Sequence, residues 1–319
     1  MEKKLKKLSF EEYGHKLDLD ILLPINRYRA TADAKEYFVK LWPKVRQQTI
    51  ALCGSNFHVT LGSSPQLYNL AQSVSDTLSI GDKIPQFYVE EGYHINSYTL
   101  KDLEDYYVVL TTGAVDRLTK EELKFLIAHE LGHLLSGHVE YHLLLAYSPE
   151  SVKFGLRVTE VGHNLLDKGI SFFTRNKKNK SEESNAEAKE VSKTSEIIDF
   201  ASGLTRLNKW NRISEYTADR VGLLACQDIN VALSALMKIS GLPQSYYGDA
   251  SVEEFVKQAN EFTERYGGNY DSLLKDLDVL DEDHPWLIRR AAELLEWYSS
   301  GEYEKLLAVS DTNNLIDNG

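Results

Sequence analysis

Cysteine is scarce in this chain, which has two among its 319 residues, Cys53 and Cys226. Two thiols cannot form a disulfide framework or a cysteine-rich zinc module, so both kinds of small scaffold are excluded. We expect both thiols to be buried in a protein of a reducing compartment. Positive charge is also in deficit: 36 Lys and Arg face 48 Asp and Glu, for a net charge of −12. This balance argues against a nucleic-acid partner, because binding phosphate backbones requires clustered positive charge.

Long apolar runs are absent as well. The best candidate for a membrane span, residues 154–173, is interrupted by Arg157, Glu160, Asp167 and Lys168, and a span needs about 18 or more apolar residues. Its apolar spacing favours an amphipathic helix. The first 20 residues contain too many charges for the unbroken apolar stretch of a signal peptide. We therefore expect no transmembrane segment and a cytoplasmic location.

The remaining sequence divides into regions with different residue patterns. Apolar spacing predicts mostly helices over residues 1–80, short β-branched and aromatic runs predict a small meander of strands over 86–110, and helices follow. We therefore expect an N-terminal helical region packed on a main unit at residues 81–309. Residues 175–196 are almost entirely polar and predict a flexible insertion, with a solvated polar helix as the alternative. Residues 310–319 predict a frayed tail.

A well-signalled helix start precedes the most informative motif. Thr119 and Glu122 have the spacing of a capping box, in which each side chain binds the other residue's backbone amide. The helix can end at Gly132 or Gly137. Within it, His129-Glu130-Leu131-Gly132-His133 places two imidazoles four residues apart, on one helical face, so that both can bind one ion. Glu130 can then reach a metal-bound water, which is the H-E-x-x-H pattern of zinc peptidases.

The motif leaves a third metal ligand to be found, because catalytic zinc takes three protein ligands and keeps one position open for water. Metzincins would place a glycine and a histidine where this chain has Ser136 and Val139, so that class is excluded. A glutamate from a later helix remains. Glu215 can complete a His-His-Glu set, and Asp219, four residues on, can accept the second N–H of a ligating imidazole. An exposed helix acid remains the alternative for each.

These stretches together resemble the zinc endopeptidase family that includes HtpX and the CAAX prenyl proteases, within the glutamate-ligand (gluzincin) group. The resemblance covers residues 85–295 in order and spacing. It rests on the H-E-x-x-H motif with His138 following, on Glu215 to Arg220, and on His284-Pro285 with Arg290. It implies a role for His284 and Arg290 near the oxyanion of the tetrahedral intermediate. For the His-Pro pair, a helix cap is the alternative.

A looser match lies in the predicted strands. Asn96, Ser97 and Tyr98 resemble the family's Asn-Ala-Phe segment, the edge strand that aligns substrate beside the metal. Serine replaces alanine at Ser97, and tyrosine replaces phenylalanine at Tyr98. The resemblance therefore implies a substrate-binding role for these three residues.

The sequence and the resemblance lead to one expectation. The chain is predicted to be an α+β, mostly helical, zincin-like metallopeptidase in which a small strand meander lies beside the active-site helix. His129, His133 and Glu215 hold one Zn²⁺ per chain, Asp219 supports a ligand, and Glu130 activates the water that hydrolyses peptide bonds of soluble peptides or unfolded proteins. Two alternatives stay open: a latent enzyme whose site is covered, and a non-catalytic zinc protein that acts as a chaperone-like or partner-binding module.

Overall fold

Helices form most of the N-terminal region. The computed structural model describes residues 3–29, 32–81, 84–102, 105–147, 210–266 and 286–308. For residues 23–29, 32–41, 144, 145, 147 and 266 it describes the backbone alone. The first elements are α1 (Phe10–Tyr13), α2 (Lys16–Arg29), α3 (Ala32–Ser55), β1 (Phe57–Val59) and α4 (Pro65–Thr77). The predicted helical character of residues 1–80 is confirmed. Strand β1 was not predicted, because three residues are too short a run to show alternation.

The predicted strands are present, but they do not form a meander. They are β2 (Gln86–Glu90), β3 (Ser97–Lys101) and β4 (Tyr106–Thr111), and the sheet order is β1-β2-β4-β3. β2 runs parallel to β4, whereas β1 pairs with β2 and β3 with β4 in the antiparallel sense. The meander expectation is therefore wrong. β4 is buried along nearly its whole length and takes a central position, while the half-buried β3 lies at an edge.

The remaining elements are helical. They are α5 (Thr112–Arg117), α6 (Lys120–Leu135), α7 (Val139–Tyr147), α8 (residues 210–226), α9 (Ile229–Ile239), a 3-10 turn (Gln244–Tyr246), α10 (Val252–Tyr266), α11 (Leu287–Ser299) and α12 (residues 302–308). The predicted α+β class, mostly helical with one small sheet, is confirmed. Within the described residues, every helix falls short of the length or the apolar character that crossing a membrane requires.

The start of α6 has the predicted capping box. Thr119 Oγ1 accepts the amide of Glu122 at 3.3 Å, and Glu122 Oε2 accepts the amide of Thr119 at 2.8 Å. The same carboxylate is buried and receives Ser234 Oγ at 2.6 Å and Lys238 Nζ at 2.7 Å from α9. The cap thus fixes where the helix begins and also joins it to a neighbouring helix.

Two glycines set how closely α6 and α8 cross. A methyl group on Gly132 would lie 3.0 Å from both Ala218 Cα and Val221 Cβ. A methyl group on Gly222 would lie 2.7 Å from two ring carbons of Phe125. Both distances are well below normal carbon–carbon contact, about 3.5–4.0 Å. Gly132 therefore does not end α6 but lets α8 approach it, and the helix ends beside Gly137, whose φ is +73°.

The core joins side chains that are far apart in sequence. Leu5, Phe125 and Leu223 are buried in one cluster, which also receives α9, α10 and α11. The described residues up to Leu143 and from Trp210 onward belong to one compact unit. The predicted boundary near residue 80 stays a prediction. The predicted insertion at 175–196 and the tail at 310–319 lie outside the described residues.

The two cysteines lie in different environments. Both are free cysteines: Cys226 is buried, whereas Cys53 is exposed near the end of α3. The expectation of two buried thiols is wrong for Cys53. The predicted helical character of residues 1–80 did not show which face of the helix around Cys53 is covered.

Candidate metal centre and active site

Helix α6 carries two histidines on its buried face. His129 and His133 lie one turn apart, and each is 4% exposed. Their Nε2 atoms are 3.3 Å from each other. Residues i and i+4 are neighbours on a helix surface, so the spacing in the sequence leads directly to this convergence.

Glu215 of α8 completes the cluster. Its Oε2 lies 3.5 Å from His129 Nε2, and its Oε1 lies 3.3 Å from His133 Nε2. One ligand atom from each of the three residues falls within 4.8 Å of the others. Two imidazole nitrogens and one carboxylate oxygen that face the same point are a donor set that can hold a divalent cation.

Asp219 and Arg290 lie behind the cluster. Asp219 Oδ1 is 3.0 Å from His129 Nδ1, the ring nitrogen that points away from Glu215. Arg290 donates to both oxygens of Asp219, through Nε at 2.8 Å and Nη2 at 2.6 Å, and its Nη1 lies 3.0 Å from Glu215 Oε2. A single guanidinium therefore connects the two acids. The predicted role of Arg290 near an oxyanion stays a prediction.

The electrostatics of the cluster favour a cation. Burial lowers the pKa of His129, but the hydrogen bonds to Asp219 and Glu215 outweigh burial and raise this pKa to about 9. Burial also lowers the pKa of His133, and for this ring the net shift is downward. Burial raises the pKa of Asp219, but Arg290 outweighs it and holds this pKa below its ordinary value. Asp219 is therefore ionised, and its negative charge next to His129 stabilises a cation there.

Strand β3 holds the carboxylate of Glu130. Ser97 Oγ donates to Oε1 at 2.6 Å, and Thr99 Oγ1 donates to Oε2 at 2.6 Å. Because side chains two residues apart point to the same face of a strand, both hydroxyls face α6. The Ser97 hydroxyl is thus engaged with Glu130, and the substrate-binding role predicted for it stays a prediction.

The other two residues of the predicted substrate strand make different contacts. Tyr98 donates its hydroxyl to Glu90 Oε2 at 2.7 Å, and the amide of Asn96 donates to Thr111 Oγ1 at 3.1 Å. Both contacts fix the strand within the sheet. Their predicted roles in substrate binding also stay predictions, and His284, predicted to be catalytic, lies outside the described residues.

Sequence reasoning missed two features of this site. Thr99 was not selected, although its position two residues after Ser97 on a predicted strand was a usable signal. On the far side of the cluster, His133 Nδ1 lies 3.1 Å from His138 Nδ1, and His138 Nε2 lies 3.0 Å from Asp18 Oδ2. Nothing in the sequence near Asp18 connects it with a metal site.

Comparison with known proteins gives a family. A family model described as Peptidase family M48 matches residues 63–298, which include the whole cluster and its neighbours from α6, α8, β3 and α11. The chain belongs to this family. The resemblance to HtpX and the CAAX prenyl proteases is thereby confirmed. As a member of M48, the chain is a metallopeptidase whose substrates are peptides or proteins.

Relatives of this M48 peptidase include proteins with curated names. It is 26% identical over 314 residues to the Plastoglobule-localized metallopeptidase 48, chloroplastic, of Arabidopsis thaliana, covering 98% of this chain and 79% of the relative. It is 28% identical over 230 residues to a Protease HtpX homolog of Bacteroides fragilis, covering 72% and 67%. The crystal structure of S. mikatae Ste24p aligns at 17% identity and a TM-score of 0.35, covering 91% of this chain and 67% of that one.

Proposed function

We propose that this M48 peptidase is a zinc-dependent endopeptidase that hydrolyses peptide bonds of soluble peptides or unfolded proteins, and that it is cytoplasmic. The observation that carries the proposal is the convergence of His129, His133 and Glu215, with the Glu130 carboxylate on the same helix. A His-His-Glu set is typical of catalytic rather than structural zinc, because it leaves a coordination position open for water.

The donor set fits zinc better than the harder cations. Two imidazoles suit Zn²⁺, whereas Mg²⁺ and Ca²⁺ prefer carboxylate, carbonyl and water oxygens. We assign His129, His133 and Glu215 as the ligands of one ion per chain. Asp219, positioned by Arg290, orients the ring of His129 by accepting from its Nδ1. Zinc in such a site lowers the pKa of a bound water towards neutrality and polarises a carbonyl oxygen.

Glu130 is assigned as the general base. It accepts the proton of the attacking water and returns it to the leaving amine. The hydroxyls of Ser97 and Thr99 keep its carboxylate in place, since each oxygen of the carboxylate receives one hydrogen bond at 2.6 Å. A base that is held in one orientation loses less entropy on reaching the reactive geometry.

The edge strand β3 is assigned as the substrate platform. β3 pairs with β4 on one side and, in the described part of the chain, has no strand beside it on the other, so its second edge can take an extended peptide by β-augmentation. Backbone hydrogen bonds along Asn96, Ser97 and Tyr98 would hold the substrate with little dependence on its sequence. This mode of binding favours unfolded segments over folded proteins.

The decisive experiment exchanges Glu130 for glutamine. Glu130→Gln keeps the shape of the side chain but cannot accept the proton, so cleavage of a labelled unfolded protein should fall at least about 1,000-fold while bound zinc stays near one per chain. Glu121→Gln, on the exposed side of the same helix, is the matched control and should cleave at the parent rate. A chelator should abolish cleavage by the parent.

Two outcomes would reject the assignment. Full turnover by Glu130→Gln would show that Glu130 is not the base. Zinc binding by the parent without cleavage of any unfolded protein would favour a non-catalytic zinc protein on the same scaffold.

A further inference from the structure

The far side of the cluster contains a second series of buried polar contacts, which begins at His133. The Nδ1 atom of His133 is 3.1 Å from Nδ1 of His138, which is 0% exposed. On its other side, His138 Nε2 lies 3.0 Å from Asp18 Oδ2, although its N–H is not aligned for a regular hydrogen bond. The series therefore runs from α6 to the N-terminal helix α2.

The positions of the protons follow from these distances. When His133 uses Nε2 as a ligand atom, its Nδ1 carries the hydrogen and must donate to an acceptor. His138 Nδ1 is then the acceptor, so the hydrogen of His138 is on Nε2. That N–H lies beside the carboxylate of Asp18, close enough for an electrostatic contact but without the alignment of a regular hydrogen bond. Each ring is thus held in one tautomer by the group behind it.

Asp18 is fixed by further contacts. The residue is 0% exposed. Trp210 Nε1 donates to its Oδ1 at 2.6 Å, and Thr217 Oγ1 donates to its Oδ2 at 2.5 Å. Burial of a carboxylate is costly unless the charge is compensated by hydrogen bonds or by a partner. Two donors from α8 together with His138 supply that compensation and leave the Asp18 carboxylate little freedom to move.

We propose that Asp18 is a positioning residue of the metal centre, which acts on the ligand His133 through His138. This inference rests on the proposed function, because it assumes that His133 holds zinc through Nε2. Asp219 and Arg290 then orient one ligand ring, and Asp18 and His138 orient the other. Asp18 lies outside residues 63–298, which match the family model, so an N-terminal segment of this chain contributes to a site that the family region otherwise builds.

The test measures zinc affinity by competition with a chromophoric chelator, using the full chain. Asp18→Asn keeps the size of the side chain and an acceptor oxygen but removes the charge, and zinc should dissociate about 10–100-fold more readily, the range seen when such supporting residues are changed. Asp20→Asn, the same exchange at an exposed position of α2, should bind zinc like the parent.

A second control separates positioning from stability. Val59→Ala removes buried methyl groups from β1, at the opposite edge of the sheet from β3, so it should lower the melting temperature and change the zinc affinity less than about threefold. Asp18→Asn combined with His138→Gln should bind zinc no more weakly than His138→Gln alone, because residues that act through one another are not additive.

The outcomes distinguish this inference from the proposed function. A folded Asp18→Asn protein that binds zinc within threefold of the parent overturns the inference and leaves the peptidase assignment standing. A parent that binds no zinc overturns both. If Asp18→Asn does not fold, His138→Gln decides: unchanged zinc affinity overturns the inference, and a loss of about tenfold or more, with circular dichroism like the parent, supports it.

Discussion

The crossing of α6 and α8 provides the sharpest prediction, in the exchange Gly132→Ala. Gly132 of α6 precedes the ligand His133 and faces Ala218 of α8. Ala218 lies between Glu215 and Asp219 in the sequence. A methyl group there would be 3.0 Å from the Cα of Ala218, a backbone atom that cannot rotate away. We therefore expect α6 and α8 to move apart at the point where the metal ligands need to be close together.

The magnitude follows from two opposing effects. Normal carbon contacts are about 3.5–4.0 Å, so the helices must separate by roughly 0.5–1 Å. Overpacking of this kind costs about 1–3 kcal/mol, and alanine regains about 1 kcal/mol of helix propensity. The expected net loss is about 1 kcal/mol, or roughly 2–4 °C in melting temperature. Because the ligand atoms separate as well, zinc affinity should fall about tenfold or more.

The assay compares melting curves and zinc competition for Gly132→Ala and Gly54→Ala. Gly54 lies near the end of α3, and in the described part of the chain no atom is within 4 Å of the position its methyl group would take. Gly54→Ala should therefore be neutral or slightly stabilising and should leave zinc affinity unchanged. A Gly132→Ala protein that is as stable as Gly54→Ala and binds zinc within twofold of the parent would refute the reasoning.

Two further predictions concern buried carboxylates of α6. Thr99→Val should lower kcat about tenfold with little change in KM, because one oxygen of Glu130 loses its donor, and Ser97→Ala should lower kcat by a similar factor for the same reason; equal kcat for parent and Thr99→Val would contradict this. Burial raises the pKa of Glu122, but the contact with Lys238 outweighs burial, and the pKa lies below its ordinary value. The ionised carboxylate therefore stabilises the fold above the ordinary pKa of a glutamate. This stabilisation is lost as the pH falls through the lowered pKa of the folded protein. In chemical denaturation at pH 7, Glu122→Gln should lose about 2 kcal/mol relative to the parent, and the difference should shrink below about pH 4; a difference that is constant from pH 3 to 7 would show that the charge is not responsible.

Local signals in the sequence were enough to predict the active-site helix. Thr119 and Glu122 are three residues apart and His129 and His133 are four, so all the information needed for the cap and the shared face lies within one helix. The strand segments were also predictable, because alternation is a local property. Local information did not extend to the order of the strands: the neighbours of β4 depend on which strands the helices bury.

Contacts between distant segments were predicted only where a motif supplied both partners. Glu215 and Asp219 were selected because the two histidines required a third ligand and an acceptor. No unfilled position of the motif pointed to Asp18 or Thr99. Thr99 contacts Glu130 and Asp18 acts on His133, and the motif already contained both of those residues. Arg290 was selected by resemblance, but its contacts with two acids depend on how α8 and α11 pack, which periodicity does not specify.

The order in which the centre receives its charges has a consequence for synthesis. The carboxylates of Glu215 and Asp219 leave the ribosome before the guanidinium that neutralises them, because residues 216–290 must still be added. At about 5–20 residues per second, this interval lasts roughly 4–15 s. During this time, two acids would have to be buried against the histidines without their cation. The nascent chain therefore cannot close its metal pocket with the charges balanced before residue 290 has left the ribosome, and proteolysis cannot begin earlier than that.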